Sequence, residues 1–229
     1  MIVQIYEVSN PAEAIILAEL GVDHIGVLVG KGEYPREVSP MHAKVIFEFL
    51  PRETKRVVLS LSHHLEIISE VAREAKPDIL HLGTVPELLS PNDINKLKKE
   101  FPRLKIMRSI PVVDKVSIEL AKEYDGIVDY LLLDSHLQGD TQVGATGRIH
   151  DWDVSRRIIE GVQIPVILAG GLGPDNVAEA IRAVKPAGVD SKTRTDRIDR
   201  KGKDIEKVRE FIEIARSSNR IDSSLRRRI

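Results

Sequence analysis

The stretch DYLLLDSHLQGDTQVGATGRIHDW, residues 129–152, indicates the fold of this chain. It begins with an apolar run, residues 130–133, of the kind that a strand buried on both faces requires. The run ends on the carboxylate of Asp134, and a polar loop with three glycines precedes a helix start at Asp151. An acid at the carboxyl end of a buried strand, followed by a glycine loop and a helix, predicts one corner of an active site in an α/β fold.

The same unit recurs along the chain, because short apolar runs alternate with amphipathic segments. Eight runs are predicted strands: residues 2–8, 24–29, 56–61, 78–82, 104–110, 129–133, 165–169 and 187–189. Helix starts with capping residues lie between them, at Asn10-Pro11, Ser39-Pro40, Ser90-Pro91 and Pro174-Asp175-Asn176. Eight such units with right-handed crossovers predict a single (β/α)8 TIM barrel. A doubly wound open sheet is the alternative, but no G-x-G-x-x-G follows the first run.

Length and charge limit the class of protein. The chain has 229 residues, which is close to the roughly 250 of a TIM barrel, so we expect one barrel domain over residues 1–216. Residues 217–229 lose the helical pattern and predict a basic, disordered tail. The net charge is -1, which gives no overall field toward nucleic acid or an anionic membrane. The absence of cysteine excludes disulfides and cysteine-ligated metals. We expect a cytoplasmic monomer or homodimer.

The loops after predicted strands 7 and 8 differ from the others, with A-G-G-L-G-P at residues 169–174 and D-S-K-T-R at residues 190–194. Glycines allow close approach of the backbone, and a following helix start presents N–H groups to an anion. Because barrels commonly hold phosphate in these loops, the sequence predicts a site for a phosphorylated small molecule. A tight turn with surface cations is the alternative. The candidate binding residues are Gly144, Gly147, Gly170, Gly171, Asp190, Ser191, Lys192, Thr193 and Arg194.

Other strand ends deliver further candidates. Asp134 is the predicted catalytic acid, with a capping or salt-bridged carboxylate as the alternative. Arg108 lies near the carboxyl end of predicted strand 5 and should reach the same mouth. Four histidines follow strands 3, 4 and 6 and could bind Zn²⁺ or Fe²⁺, namely His63, His64, His81 and His136. They lack a tight ligand spacing such as H-x-H, so we interpret them as polar rim residues and predict no metal.

Seven motifs follow one another in a fixed order. They are IYEVSN (5–10), GVDHIG (21–26), REVSP (36–40), LLD (132–134), GATGRIHDW (144–152), AGGLGPDNV (169–177) and GVD (188–190). In this order they resemble the phosphoribosylanthranilate isomerase family, the barrel enzymes of tryptophan biosynthesis. The resemblance covers nearly the whole chain up to about residue 216. Any one motif alone would be a weak signal.

The resemblance implies a cofactor-free Amadori rearrangement of an N-phosphoribosyl arylamine to a 1-deoxyribulose phosphate. Asp134 would be the acid that opens the sugar ring, and Arg36 would lie near the anthranilate part. The family's base is a cysteine, and Tyr6 stands in its place, with Glu7 where the family has glycine. A phenol with an ordinary pKa of about 10 is a poor base near neutral pH. Strand alternation is expected to turn Glu7 away from the pocket.

Three functions remain open from the sequence. The first is the isomerisation that the resemblance implies, with Asp134, Tyr6 and Arg36 as catalytic candidates. The second is isomerisation of another sugar phosphate, or its metal-assisted epimerisation by the histidines. It is kept open because K-T-R-T-D at residues 192–196 replaces the family's S-S-G-V-E phosphate loop and introduces the cations Lys192 and Arg194. The third is a catalytically inactive barrel that binds a phosphorylated ligand, which the tyrosine at position 6 favours.

Overall fold

A computed structural model describes residues 1–137, 139–144 and 146–226. Its eight parallel strands close into a barrel in sequence order, and helices follow them on the outside. The strands are β1 Ile2–Ile5, β2 His24–Leu28, β3 Lys55–Ser60, β4 Ile79–Leu82, β5 Lys105–Pro111, β6 Tyr130–Asp134, β7 Val166–Leu168 and β8 Gly188–Ser191. The helices are α1 Pro11–Glu19, α2 Pro40–Glu48, α3 Leu65–Ala75, α4 Pro91–Glu100, α5 Val116–Tyr124, α6 Trp152–Gly161, α7 Val177–Val184 and α8 Ile205–Arg226. The TIM barrel prediction is confirmed, and each predicted run overlaps a strand.

The predicted caps set the starts of several helices. Asn10 Oδ1 accepts the N–H of Glu13 at 2.9 Å, which begins α1. Ser90 and Asp93 form a reciprocal capping box at the start of α4. Proline occupies the first turn of both helices, where its missing N–H has no intrahelical partner to lose. These local signals fix where α1 and α4 begin after the strands that precede them.

Strand alternation divides the apolar residues between two cores. The larger core lies between the strands and the helices and contains outward-facing residues such as Val3, Ile5 and Leu133. The smaller core fills the barrel and is formed by Tyr6, Val57, Ile79, Met107, Leu132, Ile167 and Ala169. Burial of each large side chain of this kind contributes about 1.5–3 kcal/mol. The barrel is therefore a packed body, and ligand access is confined to its ends.

Two regions depart from the expectations. Helix α8 continues to Arg226, ten residues beyond the predicted end of the helical pattern at residue 216, and residues 227–229 of the predicted tail lie outside the described residues. Strand β1 ends at Ile5, three residues earlier than expected, which frees the next residues from strand alternation. Within the described ranges, every helix is too short or too polar to cross a membrane.

Candidate active site

The carboxyl ends of the strands enclose a cavity of about 240 Å³. One part of its wall is apolar and comes from Leu28, Tyr34, Pro35, Leu59, Leu61, Leu132 and Val143. The other part is polar or ionisable and comes from Tyr6, Glu7, His81, Ser109, Asp134, Gln142, Asp190 and Lys192. An apolar cavity with a few convergent polar groups is the usual form of a small-molecule site.

A second cavity, of about 30 Å³, lies beside the first. It is lined by Asp134, Gly147, Gly170, Gly171, Leu172, Asp190, Ser191, Lys192, Thr193 and Arg194. The structure thus brings together most of the residues predicted to bind phosphate, from the loops after β6, β7 and β8. The two cavities share Asp134, Asp190 and Lys192. These three residues therefore stand at the junction of an apolar space and a glycine-lined one.

Glycines permit the close packing around Asp134. Gly144 has a φ of 97°, and a Cβ at that position would collide with the carboxyl group of Asp134. Gly170 has a φ of 82°, and a Cβ there would come within 3.3 Å of Asp134 Oδ1 and 2.6 Å of the His150 ring. Both backbones adopt the left-handed region that favours glycine. Gly144 therefore contributes to the site by enclosing the acid, although it does not line the smaller cavity.

Asp134 has the properties of an acid that works near neutral pH. Burial raises its pKa to about 7, and hydrogen bonds from the Ser135 N–H and hydroxyl group oppose the shift only in part. Both donors reach Oδ1, at 2.7 and 3.2 Å. A carboxyl group with this pKa is substantially protonated at neutral pH and can donate a proton, as a general acid must.

Asp190 is a second buried carboxyl group in the same wall. Burial and the nearby charge of Asp134 together raise its pKa to about 8, while a hydrogen bond from Gln4 opposes the shift. The Gln4 amide donates to Asp190 Oδ1 at 3.1 Å. The side-chain oxygen of the same residue, Gln4 Oε1, lies 3.0 Å from His24 Nδ1. A side chain of β1 therefore hydrogen-bonds Asp190 inside the barrel.

Tyr6 lies inside the barrel and is part of a hydrogen-bonded chain. Its hydroxyl oxygen is 2.6 Å from His81 Nδ1, and His81 Nε2 is 2.7 Å from Ser109 Oγ. Burial raises the pKa of Tyr6 well above its ordinary value, and the charge of Asp190 acts in the same direction. Burial, together with Arg108, lowers the pKa of His81 to about 3. Both groups are therefore neutral, and His81 is a buried barrel residue, which corrects its interpretation as a rim histidine.

Glu7 points into the mouth, contrary to the expectation from strand alternation. Its φ of 60° turns the chain after β1 and brings the side chain into the larger cavity. There Glu7 Oε2 lies 3.2 Å from Arg36 Nη2 and 3.2 Å from Lys192 Nζ. Arg36 also makes a bidentate pair with Asp196, at 3.0 and 2.7 Å. The structure thus places the sequence candidate Arg36 next to the cavity, already engaged with two carboxylates.

Some sequence candidates lie elsewhere. The Arg108 side chain lies on the outer face of the sheet and not in the mouth of the barrel. Its guanidinium is 5.5 Å from the centre of the Tyr124 ring of α5. The His63 and His64 ring centroids lie 4.1 Å apart in the loop after β3, with the rings tilted by 40°, and His136 Nδ1 contacts the Gln142 carbonyl at 3.2 Å. Across the part of the chain that the structure describes, no group of three or more His, Asp or Glu side chains is arranged to hold a metal ion.

Sequence reasoning missed the inward polar layer of the barrel. In this layer Gln4 and His24 are hydrogen-bonded to each other, and Ser109 is the last residue of the hydrogen-bonded series that begins at Tyr6. The signal was available, because residues 2, 4 and 6 of one strand share a face. Polar residues at inward positions of predicted barrel strands were therefore identifiable as neighbours of the site.

The fold and this mouth define the class: a TIM-barrel enzyme, with an acid at the junction of an apolar cavity and a glycine-lined one. The family model described as "N-(5'phosphoribosyl)anthranilate (PRA) isomerase" matches residues 3–214. The chain therefore belongs to the N-(5'-phosphoribosyl)anthranilate isomerase family.

Known relatives agree with this membership. An N-(5'-phosphoribosyl)anthranilate isomerase of Methanocella arvoryzae is 36% identical over 215 residues, which cover 93% of this chain and 97% of the relative. The dimeric phosphoribosylanthranilate isomerase of Thermotoga maritima, solved as monomers, superposes with a TM-score of 0.77 at 25% identity, covering 95% of this chain and all of that one. A further isomerase was solved with reduced 1-(o-carboxyphenylamino)-1-deoxyribulose 5-phosphate; its TM-score is 0.74 at 25% identity, with 95% of this chain and 100% of that chain covered.

Proposed function

We propose that this protein isomerises N-(5'-phosphoribosyl)anthranilate to 1-(o-carboxyphenylamino)-1-deoxyribulose 5-phosphate, a step of tryptophan biosynthesis. One observation carries the proposal: the glycine-lined cavity and the apolar cavity meet at Asp134. The substrate has the same order of parts, with a phosphate at one end, an aromatic ring at the other and the reacting sugar between them. A ligand that filled both cavities would place its sugar beside the acid.

The reaction uses the acid Asp134, which lies where the two cavities meet. Asp134 donates its proton to the ring oxygen of the sugar, and the bond between that oxygen and C1' breaks to give a protonated Schiff base. A base then removes the proton from C2', and the resulting enolamine becomes the ketone. No oxidant or reductant is consumed, because the sugar carbons exchange oxidation levels within one molecule. The prediction that no cofactor takes part is consistent with this balance.

The smaller cavity is the proposed phosphate site. Backbone N–H groups near Gly170 and Gly171 and the charge of Lys192 can meet the phosphate oxygens. The Ser191 hydroxyl donates to the Leu172 carbonyl at 2.7 Å, so it joins the loops after β7 and β8. Arg194 Nη2 pairs with Asp175, and its guanidinium therefore borders the site in a partly neutralised state.

A second candidate function is an inactive barrel that binds a phosphorylated ligand. One observation favours it: the phenol of Tyr6 is neutral and hydrogen-bonded to His81, so it does not supply a base.

The expectations of a cytoplasmic location and of a monomer or homodimer remain predictions. The dimeric state is recorded for the Thermotoga maritima relative.

Turnover by the purified protein tests the proposal. The substrate is supplied fresh, and the product is identified by chromatography and mass. We expect multiple turnovers by the wild type and a loss of about 10²- to 10⁴-fold in Asp134→Asn, because the ring oxygen then lacks its acid. The matched control is Asp153→Asn on the exposed surface of α6. A folded wild-type protein that binds the substrate without converting it would instead establish the inactive alternative.

A further inference from the structure

We infer that Glu7 is the general base of this site and takes the C2' proton during the rearrangement. The inference rests on the proposed function and assigns its missing proton acceptor. Glu7 lines the larger cavity together with Asp134, from the segment that follows β1. A carboxylate after β1 and an acid at the end of β6 therefore face the same space.

The backbone of Glu7 supports a functional placement. Its φ of 60° lies in the left-handed region, which a residue with a long side chain adopts at a cost in free energy. Such outliers persist where the surroundings impose them, and they cluster at functional sites. An extended backbone at this position would turn the side chain to the outside of the barrel by strand alternation. The left-handed turn is thus what brings the carboxylate into the mouth.

The surrounding charges fix the Glu7 side chain. Arg36 Nη2 and Lys192 Nζ each lie 3.2 Å from Oε2, and the side chain of Glu7 is only 11% exposed. Arg36 is itself anchored by Asp196, whose carboxylate also accepts from the buried ammonium of Lys203 at 2.7 Å. A base must be held in one position to meet a C–H bond, because misplacement by about 1 Å can cost about 10²-fold in rate.

The other ionisable groups of the cavity are less suitable as bases. Tyr6 is a neutral phenol whose hydroxyl is occupied by His81. Burial lowers the pKa of His81 to about 3, and both ring nitrogens have hydrogen-bond partners. Asp190 has its pKa raised to about 8 by burial and by Asp134, so it is mainly protonated at neutral pH. Lys192 is a cation paired with Glu7.

The proton transfer balances within the substrate and the protein. Glu7 forms an O–H bond to the C2' proton, the C2'–H electron pair becomes the C1'=C2' bond, and the pair of the C1'=N bond returns to nitrogen. The enolamine then gains a proton at C1' from Glu7 and loses its 2'-hydroxyl proton to the Asp134 carboxylate, which gives the ketone and restores the acid. Glu7 regains its carboxylate form when the proton is returned.

Substitution of Glu7 by Gln tests the inference directly. Glu7→Gln keeps the size of the side chain and removes its basicity, so we expect kcat to fall by about 10²- to 10⁴-fold with KM changed by less than about tenfold. The primary isotope effect on kcat with C2'-deuterated substrate should increase, because proton removal becomes rate-limiting. Glu179→Gln, on the exposed side of α7, is the matched control and should retain wild-type kinetics.

A second variant separates catalysis from structure. Glu7→Gly removes the carboxylate and also the left-handed strain, so it should remain folded, and added formate should restore part of its kcat. Retention of at least a tenth of wild-type kcat in Glu7→Gln would overturn the inference, as would a failure of formate to raise the kcat of folded Glu7→Gly. An inactive wild type would contradict the proposed function itself, whereas an active wild type with active Glu7→Gln would contradict the role of Glu7 alone.

Discussion

Tyr6 shows how one side chain shapes the mouth of this barrel. Its ring lies against Gly26 of β2, where any Cβ would collide with it, so the adjacent glycine makes the space that the ring occupies. The hydroxyl group then reaches His81 and Ser109 across the barrel. A bulky, neutral residue at this position closes the floor of the cavity. Proton transfer to and from the substrate is therefore assigned to the carboxyl groups of Asp134 and Glu7.

The pH dependence of catalysis should report Asp134. Burial raises its pKa to about 7, and the reaction requires the protonated form. We therefore expect kcat/KM to fall about tenfold per pH unit above about pH 7, measured from pH 6.5 to 9, where the substrate phosphate is largely ionised. The residual activity of Asp134→Asn should lack this decrease. A wild-type rate that stays constant up to pH 9 would contradict the assignment.

Individual residues were predictable only where the backbone followed the expected path. Asp134 could be identified because it ends a buried run, and the glycines because their loops follow β6 and β7. Glu7 was placed wrongly, since alternation applies only while the chain is extended and β1 ends at Ile5. Arg108 was placed wrongly for the opposite reason: it remains within β5, and its position in the alternation directs it behind the sheet.

Loops after different strands support one another around the acid. The N–H of Val143 donates to the Gly83 carbonyl at 2.9 Å, and the N–H of Val85 donates to the Thr141 carbonyl at 3.0 Å, so the loops after β4 and β6 are joined. Buried Arg108 donates to the carbonyls of Leu82 and Thr84, at 2.8 and 2.7 Å. The glycine loop that covers Asp134 is thereby attached to the end of β4.

Gly171 provides a test of the loop after β7. Its φ is 62°, and a Cβ would come within 2.8 Å of the Gly147 carbonyl oxygen in the loop after β6. We expect Gly171→Ala to lower the free energy of unfolding by about 1–2 kcal/mol, measured by urea denaturation, because an L-residue is strained there. Substrate KM should rise at least about tenfold, since the loops after β6 and β7, which both line the smaller cavity, must separate.

Gly161→Ala is the matched control for this prediction. Gly161 ends α6, and its Cβ would meet only Lys122 Cε, at 3.4 Å. Its KM should equal that of the wild type. An unchanged KM in folded Gly171→Ala would show that the smaller cavity does not hold the phosphate.

The elements themselves were the most predictable level. Eight apolar runs predict the strands, and the caps at Asn10, Ser39 and Ser90 predict helix starts, because both signals are local in sequence. The long α8 was not predictable in full, since residues 217–226 are polar and lack the amphipathic pattern. Strand alternation could have identified the inward polar residues one by one, but their contacts with one another form only when the sheet closes.

Two carboxyl groups at the mouth of the barrel have raised pKa values, and this makes the stability of the whole molecule depend on pH. Burial raises the pKa values of Asp134 and Asp190 in the folded state above those of an unfolded chain, near 4. The folded protein therefore binds more protons than the unfolded one between about pH 4 and pH 8. Stability gained from these groups is fully present below about pH 4 and is lost as the pH rises through the folded-state values.

Asp190→Asn should reduce this dependence. The amide has no charge to desolvate, so we expect the melting temperature of the variant to exceed that of the wild type at pH 8.5, and the difference to shrink or reverse at pH 5. Calorimetry across this range measures both. Asp153→Asn, at an exposed position, should follow the wild-type curve at every pH. A wild-type melting temperature that rises steadily from pH 5 to 8.5, with Asp190→Asn parallel to it, would contradict the prediction.

The proposed function requires one extended ligand that occupies both cavities and passes beside Asp134. A crystal structure with reduced 1-(o-carboxyphenylamino)-1-deoxyribulose 5-phosphate tests this most directly. We predict the phosphate between Gly170 and Thr193, the aromatic ring against Leu59 and the sugar chain beside Asp134. A phosphate bound outside the glycine-lined cavity, or a sugar chain that does not reach Asp134, would contradict it.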